Sequence, residues 1–246
     1  MYYQKTYEYG NRIEIRKYYS WRCKNSGESR VRTGKPTPEK MKALNEKNAI
    51  RRLERLMIGN FTENDWHIVL TYSNEDRPDA AGGKKCLQGF LRRMRKEYEK
   101  RGEELRYITA TEYQSTNIHH HIVLNGINGL NKIIQKCWKG GKHFTPLYPD
   151  RDFQGLAKYF VKETSKTYDS DTAVFKTRYT CSKNLKKPVE HKKIVPADSW
   201  RKEPKVPEKL AAIGYVLDKD SIETGVNDLG YGYQEYILIR YERSRN

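Results

Sequence analysis

The chain has 246 residues, enough for one large domain or for a core domain with a small appendage. It carries 48 Lys and Arg against 31 Asp and Glu, and this net charge of +17, together with 19 tyrosines whose rings can stack on bases, favours a nucleic-acid partner. No apolar run is long enough for a membrane span or a signal peptide, and no GxxxxGK[ST] phosphate loop is present. We therefore expect a cytoplasmic protein with no membrane contact and no ATPase of its own.

Alternating residues, glycines and prolines predict the first half of the secondary structure. The predicted order is a β-hairpin of residues 2–8 and 12–19 around Gly10, a helix from Thr37-Pro38 to Gly59-Asn60, a strand at 66–72, a break at Pro78 and Gly82-Gly83, and a helix at about 85–100. The hairpin is rich in tyrosine, and about half of these rings are expected to pack against the body of the protein.

The second half of the chain alternates strands and short helices. The predicted elements are strands at 105–113 and 118–124 joined by the loop 114–117, a helix at about 129–138, a strand at about 143–148, a helix at about 153–165, and further strands at 176–182, 189–195, 211–217 and 231–241. A strand–helix–strand unit that leads into a hairpin indicates the α+β class, with an antiparallel sheet and flanking helices.

Three of the six histidines lie together in the strand Ile118–Leu124. Residues two apart in a strand point the same way, so His119 and His121 share one face and His120 lies on the other. If the loop is 114–117, Glu112 on the preceding strand lies directly opposite His119 and projects to the same face. Two imidazoles and one carboxylate can hold a divalent ion with open positions for a phosphate, whereas His120 is expected to pack or hydrogen-bond behind the sheet.

A tyrosine and a lysine lie one turn apart on the helix predicted at about 153–165. Tyr159 and Lys162 are three residues apart and therefore neighbours on one helix face. A phenol has a pKa of about 10 and is a poor nucleophile at neutral pH, but a nearby ammonium favours the phenolate. By itself this pair is a weak signal in a chain with so many tyrosines. Its position after the histidine hairpin is what favours a catalytic role over simple packing.

Together these motifs resemble the HUH endonucleases, and among them the rolling-circle replication initiators of phages and plasmids, near the filamentous-phage gene II protein group. His119-x-His121 is similar to the paired-histidine motif, Tyr159-x-x-Lys162 to the catalytic tyrosine motif, and Thr71-Tyr72 to the first motif. Tyr113-Gln114 and residues 182–188 add to a resemblance that covers about residues 60–190.

This resemblance implies a five-stranded antiparallel sheet with the histidines at its centre and a helix that presents Tyr159 to the metal. It implies that Mg²⁺ or Mn²⁺ is held by His119, His121 and Glu112, and that single-stranded or hairpin origin DNA is cleaved through a 5′-phosphotyrosine, with Lys162 stabilising charge. The residues that we assign to DNA binding are Thr71, Tyr72, Lys158, Lys183, Lys186 and Lys187. Because the protein–DNA link conserves the phosphodiester energy, rejoining needs no ATP, and a separate helicase is the expected partner.

Residue 163 is Glu where some relatives have a second tyrosine, so the chain resembles the single-tyrosine enzymes, with Tyr148 and Tyr168 as rival nucleophiles. Two alternatives stay open: a single-tyrosine transposase with the same chemistry, and a non-catalytic DNA- or RNA-binding protein with structural histidines.

We divide the chain into a basic, tyrosine-rich hairpin arm at 1–36, an HUH-type nuclease domain at 37–195 and a C-terminal strand appendage at 196–246.

Overall fold

The computed structural model describes residues 1–20, 37–113, 118–147, 152–168, 174–175, 177–227 and 230–241, and of residues 165–168 it describes the backbone only. The described chain is an α+β protein with two five-stranded antiparallel sheets, which confirms the predicted fold class. It divides into two compact units, one made of Thr37–Lys186 and the other of Met1–Pro36 with Lys187–Asn246. None of the described helices is long and apolar enough to cross a membrane.

The elements are numbered along the chain. They are β1 (Tyr2–Tyr9), β2 (Arg12–Tyr19), α1 (Pro38–Asn60), β3 (Trp66–Leu70), α2 (Ala80–Glu99), β4 (Tyr107–Glu112), β5 (His119–Leu124), α3 (Leu130–Cys137), β6 (Lys142–Pro146), α4 (Gln154–Tyr168), β7 (Thr180–Cys181), β8 (Val189–Ile194), a 3-10 turn (Ser199–Arg201), α5 (Glu208–Ala211), β9 (Tyr215–Val226) and β10 (Gly232–Arg240).

The unit Thr37–Lys186 is built on a sheet with strand order β6-β3-β5-β4-β7, so the histidine strand β5 is central. One face of this sheet packs its apolar residues against α2 and α3, because alternate residues such as Ile68 and Ile122 point into a core with Phe90 and Ile134. The opposite face carries His119 and His121, and α4 packs against it at β4. The predicted five-stranded sheet with central histidines is therefore confirmed.

The start of α2 differs from the sequence prediction. The sequence predicts a break at Gly82-Gly83 before a helix at about 85, but the helix begins at Ala80 and includes both glycines. Asp79 caps this helix, since its Oδ1 accepts a hydrogen bond of 2.7 Å from the Gly82 amide. A Cβ at Gly83 would lie 3.2 Å from Ile118 Cδ1, so glycine lets the helix approach β5 closely.

Two further predicted strands differ in extent. The strand expected at 176–182 is reduced to Thr180–Cys181 within the described residues, and it pairs only with Ile108 and Thr109 of β4. The strand expected at 211–217 begins at Tyr215 and continues to Val226, because Glu208–Ala211 forms the short helix α5 and Gly214 turns the chain with φ 89°.

The other unit is a sheet with strand order β8-β1-β2-β10-β9. The predicted hairpin is confirmed, and it turns at Gly10 with φ 55°. Its second strand pairs with β10, so residues from the predicted N-terminal arm and the predicted C-terminal appendage share one sheet. Ile13, Ile15, Tyr236 and Leu238 form the core of this sheet. The three-part division of the chain stays a prediction.

Candidate active site

Two neighbouring strands bring the three predicted metal ligands together. Glu112 of β4 pairs directly with His119 of β5, as the sequence predicted, and His121 lies two residues further along on the same face. One ligand atom from each of Glu112, His119 and His121 lies within 4.8 Å of the other two. The segment 114–117, predicted as the connecting loop, lies outside the described residues.

The donor atoms of this cluster fit a divalent cation. Ligand atoms that each lie about 2.1 Å from one ion are roughly 3–4 Å apart, and His121 Nε2 lies 3.8 Å from Glu112 Oε2. A cluster of two imidazoles and one carboxylate leaves positions open for a phosphate, as the sequence prediction requires. Among the described residues this is the group of histidine, cysteine and carboxylate side chains placed to hold a metal ion.

Burial keeps the imidazole of His121 neutral, which is the form that can bind a metal ion. Desolvation, with a smaller effect of the neighbouring imidazoles, lowers the pKa of His121 to about 3. His121 is therefore neutral at pH 7, and a neutral imidazole has the lone pair that a metal ion requires.

Helix α4 places Tyr159 beside the histidine pair. The hydroxyl of Tyr159 lies 3.4 Å from His121 Nε2, and the two rings meet edge to face with centroids 5.0 Å apart. Tyr159 is 39 % exposed, although most large hydrophobic side chains of this unit are buried. The phenol is thus next to the candidate metal cluster and partly open to solvent.

Burial and two nearby carboxylates keep Tyr159 a phenol in the metal-free chain. Burial, followed by the carboxylates of Glu112 and Glu163, raises the pKa of Tyr159 above its ordinary value of 10. Lys162 lies one turn along α4 with an exposed side chain, and its predicted effect on the phenolate stays a prediction. Tyr148 lies outside the described residues, and the side chain of Tyr168 is not described.

The middle histidine points away from this cluster, as predicted. His120 is 0 % exposed and makes two hydrogen bonds, one of 2.8 Å with the Tyr72 hydroxyl and one of 2.9 Å with Thr111 Oγ1. Burial lowers the pKa of His120 to about 4, so this imidazole is also neutral at pH 7. His120 therefore ties β4, β5 and the end of β3 together behind the sheet.

The residues predicted to bind DNA lie in several places. Thr71 and Tyr72 follow β3, where Gly141 and Trp138 hold the Thr71 backbone and Tyr72 bonds His120 behind the sheet. Lys158 is exposed on α4 next to Tyr159. Of these three residues, only Lys158 is next to Tyr159 in the sequence.

The three remaining predicted DNA-binding lysines lie elsewhere. Lys183 follows β7, where the Ser182 amide bonds the Tyr107 carbonyl, so it lies at the opposite end of β4 from Glu112, roughly 17 Å along the strand. Lys186 is exposed and is held through its backbone by Asn60. Lys187 is exposed and belongs to the other unit. Of these three lysines, Lys183 is thus separated from the predicted metal ligands by the length of β4.

His67 on β3 is a neighbour of the cluster that was not among the predicted site residues. Its Nε2 lies 3.4 Å from His121 Nδ1, and the two rings lie in nearly parallel planes with centroids 5.6 Å apart. Burial lowers the pKa of His67 to about 4. The alternation in Trp66–Leu70 places His67 on one strand face, but only the pairing of β3 with β5 reveals that this is the face of His121.

The fold and site thus define an α+β protein with a candidate metal-binding cluster on the central strand of a sheet and a tyrosine beside it. Residues 65–168 match a family model described as a replication-associated protein of the ORF2 and gene II protein type. This match covers less than half of the chain, includes β3 to α4, and supports a Rep-like replication initiator. No curated protein and no solved structure is significantly similar to the chain.

Proposed function

We propose that the protein is a replication initiator that nicks and rejoins single-stranded DNA at an origin by metal-dependent transesterification. The observation that carries this proposal is the placement of Tyr159, whose hydroxyl lies 3.4 Å from a nitrogen of His121 within the cluster of three potential ligands. The match of residues 65–168 to a replication-associated family supports replication as the process.

In this proposal Glu112, His119 and His121 hold one divalent ion, Mg²⁺ or Mn²⁺. The bound ion would make the scissile phosphate more electrophilic and offset charge on the leaving oxygen. The strands β4 and β5 fix these side chains because directly opposed residues project from one rigid face.

Tyr159 is the proposed nucleophile. Its oxygen loses the phenolic proton and bonds the phosphorus, the bond from phosphorus to the 3′ oxygen breaks, and this oxygen takes up a proton to leave a free 3′-hydroxyl. The DNA stays attached through a 5′-phosphotyrosine, and attack of a 3′-hydroxyl reverses the step. Burial, together with Glu112 and Glu163, raises the pKa of the phenol, so its activation requires positive charge that Lys162 and the bound ion would supply.

The substrate of this reaction is single-stranded or hairpin DNA, and strand opening would depend on a separate helicase. The exposed Tyr159 and Lys158 give a phosphate access to the site. The same chemistry could serve a transposase, but the family match is to replication-associated proteins.

A covalent adduct tests this function. The protein is incubated with Mn²⁺ and a pool of single-stranded oligonucleotides whose central segment is randomised, and complexes that survive denaturation are digested and mapped by mass spectrometry. We expect a nucleotide on the peptide that contains Tyr159. Tyr159→Phe removes one oxygen, leaves no large cavity and should abolish the adduct while the chain still binds Mn²⁺ and DNA.

Tyr148→Phe and Tyr168→Phe are the matched controls and should form the adduct normally. An adduct on either of these residues, with Tyr159 unmodified, would contradict the assignment of the nucleophile. Absence of any metal-dependent adduct would favour the non-catalytic alternative.

A further inference from the structure

His67 lies beside the candidate metal cluster without belonging to it. It is on β3, which pairs with β5, and its Nε2 faces Nδ1 of His121 at 3.4 Å. The ring planes differ by only 20°. Because the ring centroids lie 5.6 Å apart while the two nitrogens lie 3.4 Å apart, the rings meet edge to edge, which allows a hydrogen bond between the two nitrogens.

Phe160 of α4 contacts both rings. Its ring centroid lies 5.7 Å from that of His67 and 5.9 Å from that of His121, and Phe160 is 1 % exposed. The two imidazoles are thus packed against an apolar side chain that is itself fixed in the core. This packing opposes a ring flip, which would exchange Nδ1 with Cδ2 and Nε2 with Cε1 and so turn both nitrogens away from their partners.

The two nitrogens of His121 face different partners. Nε2 points toward Glu112 and Tyr159, at 3.8 Å from Glu112 Oε2 and 3.4 Å from the Tyr159 hydroxyl, whereas Nδ1 points toward His67. A nitrogen that binds a cation must carry a lone pair, so a metal on Nε2 requires the proton of neutral His121 to be on Nδ1. That N–H then needs an acceptor inside the protein.

We propose that His67 is a positioning residue that keeps His121 in the metal-binding tautomer. His67 Nε2 accepts a hydrogen bond from the Nδ1–H of His121, and His67 carries its own proton on Nδ1. The free lone pair of His121 is then directed into the cluster before any ion arrives. The role for the metal rests on the proposed function, but the tautomer is a property of the metal-free chain.

The test uses three variants of the whole chain. His67→Leu removes the acceptor and keeps an apolar side chain against Phe160, and His67→Gln keeps an acceptor near the position of Nε2. His143→Leu is the matched control, because His143 lies on the next strand, opposite Val69, with an exposed side chain.

The first measurement is the tautomer of His121 in metal-free protein labelled with ¹⁵N-histidine, by long-range ¹H–¹⁵N correlation. We expect Nδ1–H in the wild type, in His67→Gln and in His143→Leu, and a shift toward Nε2–H in His67→Leu. A wild-type His121 protonated on Nε2 would overturn the proposal, even if His67→Leu does not fold.

The second measurement is the affinity for Mn²⁺ alone, by titration calorimetry without DNA. Loss of a hydrogen-bond partner behind a metal ligand typically costs 10–100-fold in affinity, so His67→Leu should bind Mn²⁺ about 10–100-fold more weakly. His67→Gln should retain most of the affinity and His143→Leu all of it. Equal losses in His67→Leu and His67→Gln, or no loss in His67→Leu, would overturn the proposal.

These outcomes are separable from failure of the proposed function. If no DNA adduct forms but His67→Leu changes the tautomer and weakens Mn²⁺ binding, the nuclease proposal fails and the positioning role stands. If the adduct forms on Tyr159 and His67→Leu changes neither the tautomer nor the affinity, the positioning role fails alone.

Discussion

Replacement of His120 by leucine should destabilise the protein without removing the metal ligands. His120→Leu deletes the hydrogen bonds of 2.9 Å to Thr111 Oγ1 and 2.8 Å to the Tyr72 hydroxyl. Thr111 is 5 % exposed, so its hydroxyl would be left without this partner in the interior, at a cost of about 1–3 kcal/mol. Tyr72 is half-buried and can turn its hydroxyl toward water. Loss of its hydrogen bond to His120 therefore adds a smaller cost of about 0.5–1.5 kcal/mol.

The expected loss in the free energy of unfolding is therefore about 2–3 kcal/mol, after partial compensation by the apolar leucine. For a unit of roughly 150 residues this corresponds to a decrease in Tm of about 4–12 °C. Urea unfolding followed by circular dichroism in the presence of EDTA measures the loss, and Mn²⁺ titration at a temperature where the variant is folded should give the wild-type affinity.

The double variant His120→Leu/Thr111→Val is the matched control. It removes both partners of the His120–Thr111 bond, so no buried threonine hydroxyl is left unsatisfied, and it should be more stable than His120→Leu alone. A single variant within about 0.5 kcal/mol of the wild type, or a double variant that shows the plain sum of the two losses, would refute the reasoning.

Three further outcomes are expected. DNA binding should weaken about a thousandfold between 50 and 200 mM salt if about six phosphates are contacted, and a nearly flat response in a filter-binding titration would contradict a charge-based interface. Lys162→Ala should slow adduct formation by about 10–100-fold without abolishing it, as single-turnover kinetics would show; an unchanged rate would remove Lys162 from the mechanism. The metal-free protein should lose stability as the pH falls from about 6.5 toward 4, because His67 and His120 have folded pKa values of about 4 and His121 of about 3, so the unfolded chain takes up protons first. Each histidine contributes at most about 1.4 kcal/mol per pH unit, and equal urea midpoints at pH 6.5 and 5 would contradict this linkage.

The local pattern of the sequence is sufficient to predict most elements and the candidate metal-binding cluster. His119, His121 and Glu112 can be placed on one face because strand alternation and a short hairpin connection fix both parity and register. The helix cap at Thr37 is predictable because it is equally local, since its side chain accepts a hydrogen bond from the amide of Lys40 within one turn.

Contacts between distant segments could not be predicted. The role of Gly83 depends on the approach of α2 to Ile118, and without that contact the glycine pair indicates a break in the chain. His67 contacts His121 across 54 positions, and nothing in the alternation of β3 identifies its neighbour in the sheet. The union of β2 with β10 in one sheet is likewise a long-range pairing.

That pairing has a consequence for the order in which the protein can fold during synthesis. The strands that flank the hairpin β1–β2 are β8 and β10, which lie after the entire unit Thr37–Lys186. At 5–20 residues per second, the hairpin waits roughly 8–34 s while the roughly 170 residues between β2 and β8 are added, and a two-stranded hairpin is only marginally stable alone. The unit with the histidine sheet is continuous in sequence and can form first. During that interval the tyrosine-rich strands expose two unpaired edges, so a chain that stops near residue 186 should aggregate through its first 20 residues even when its histidine sheet is correctly folded.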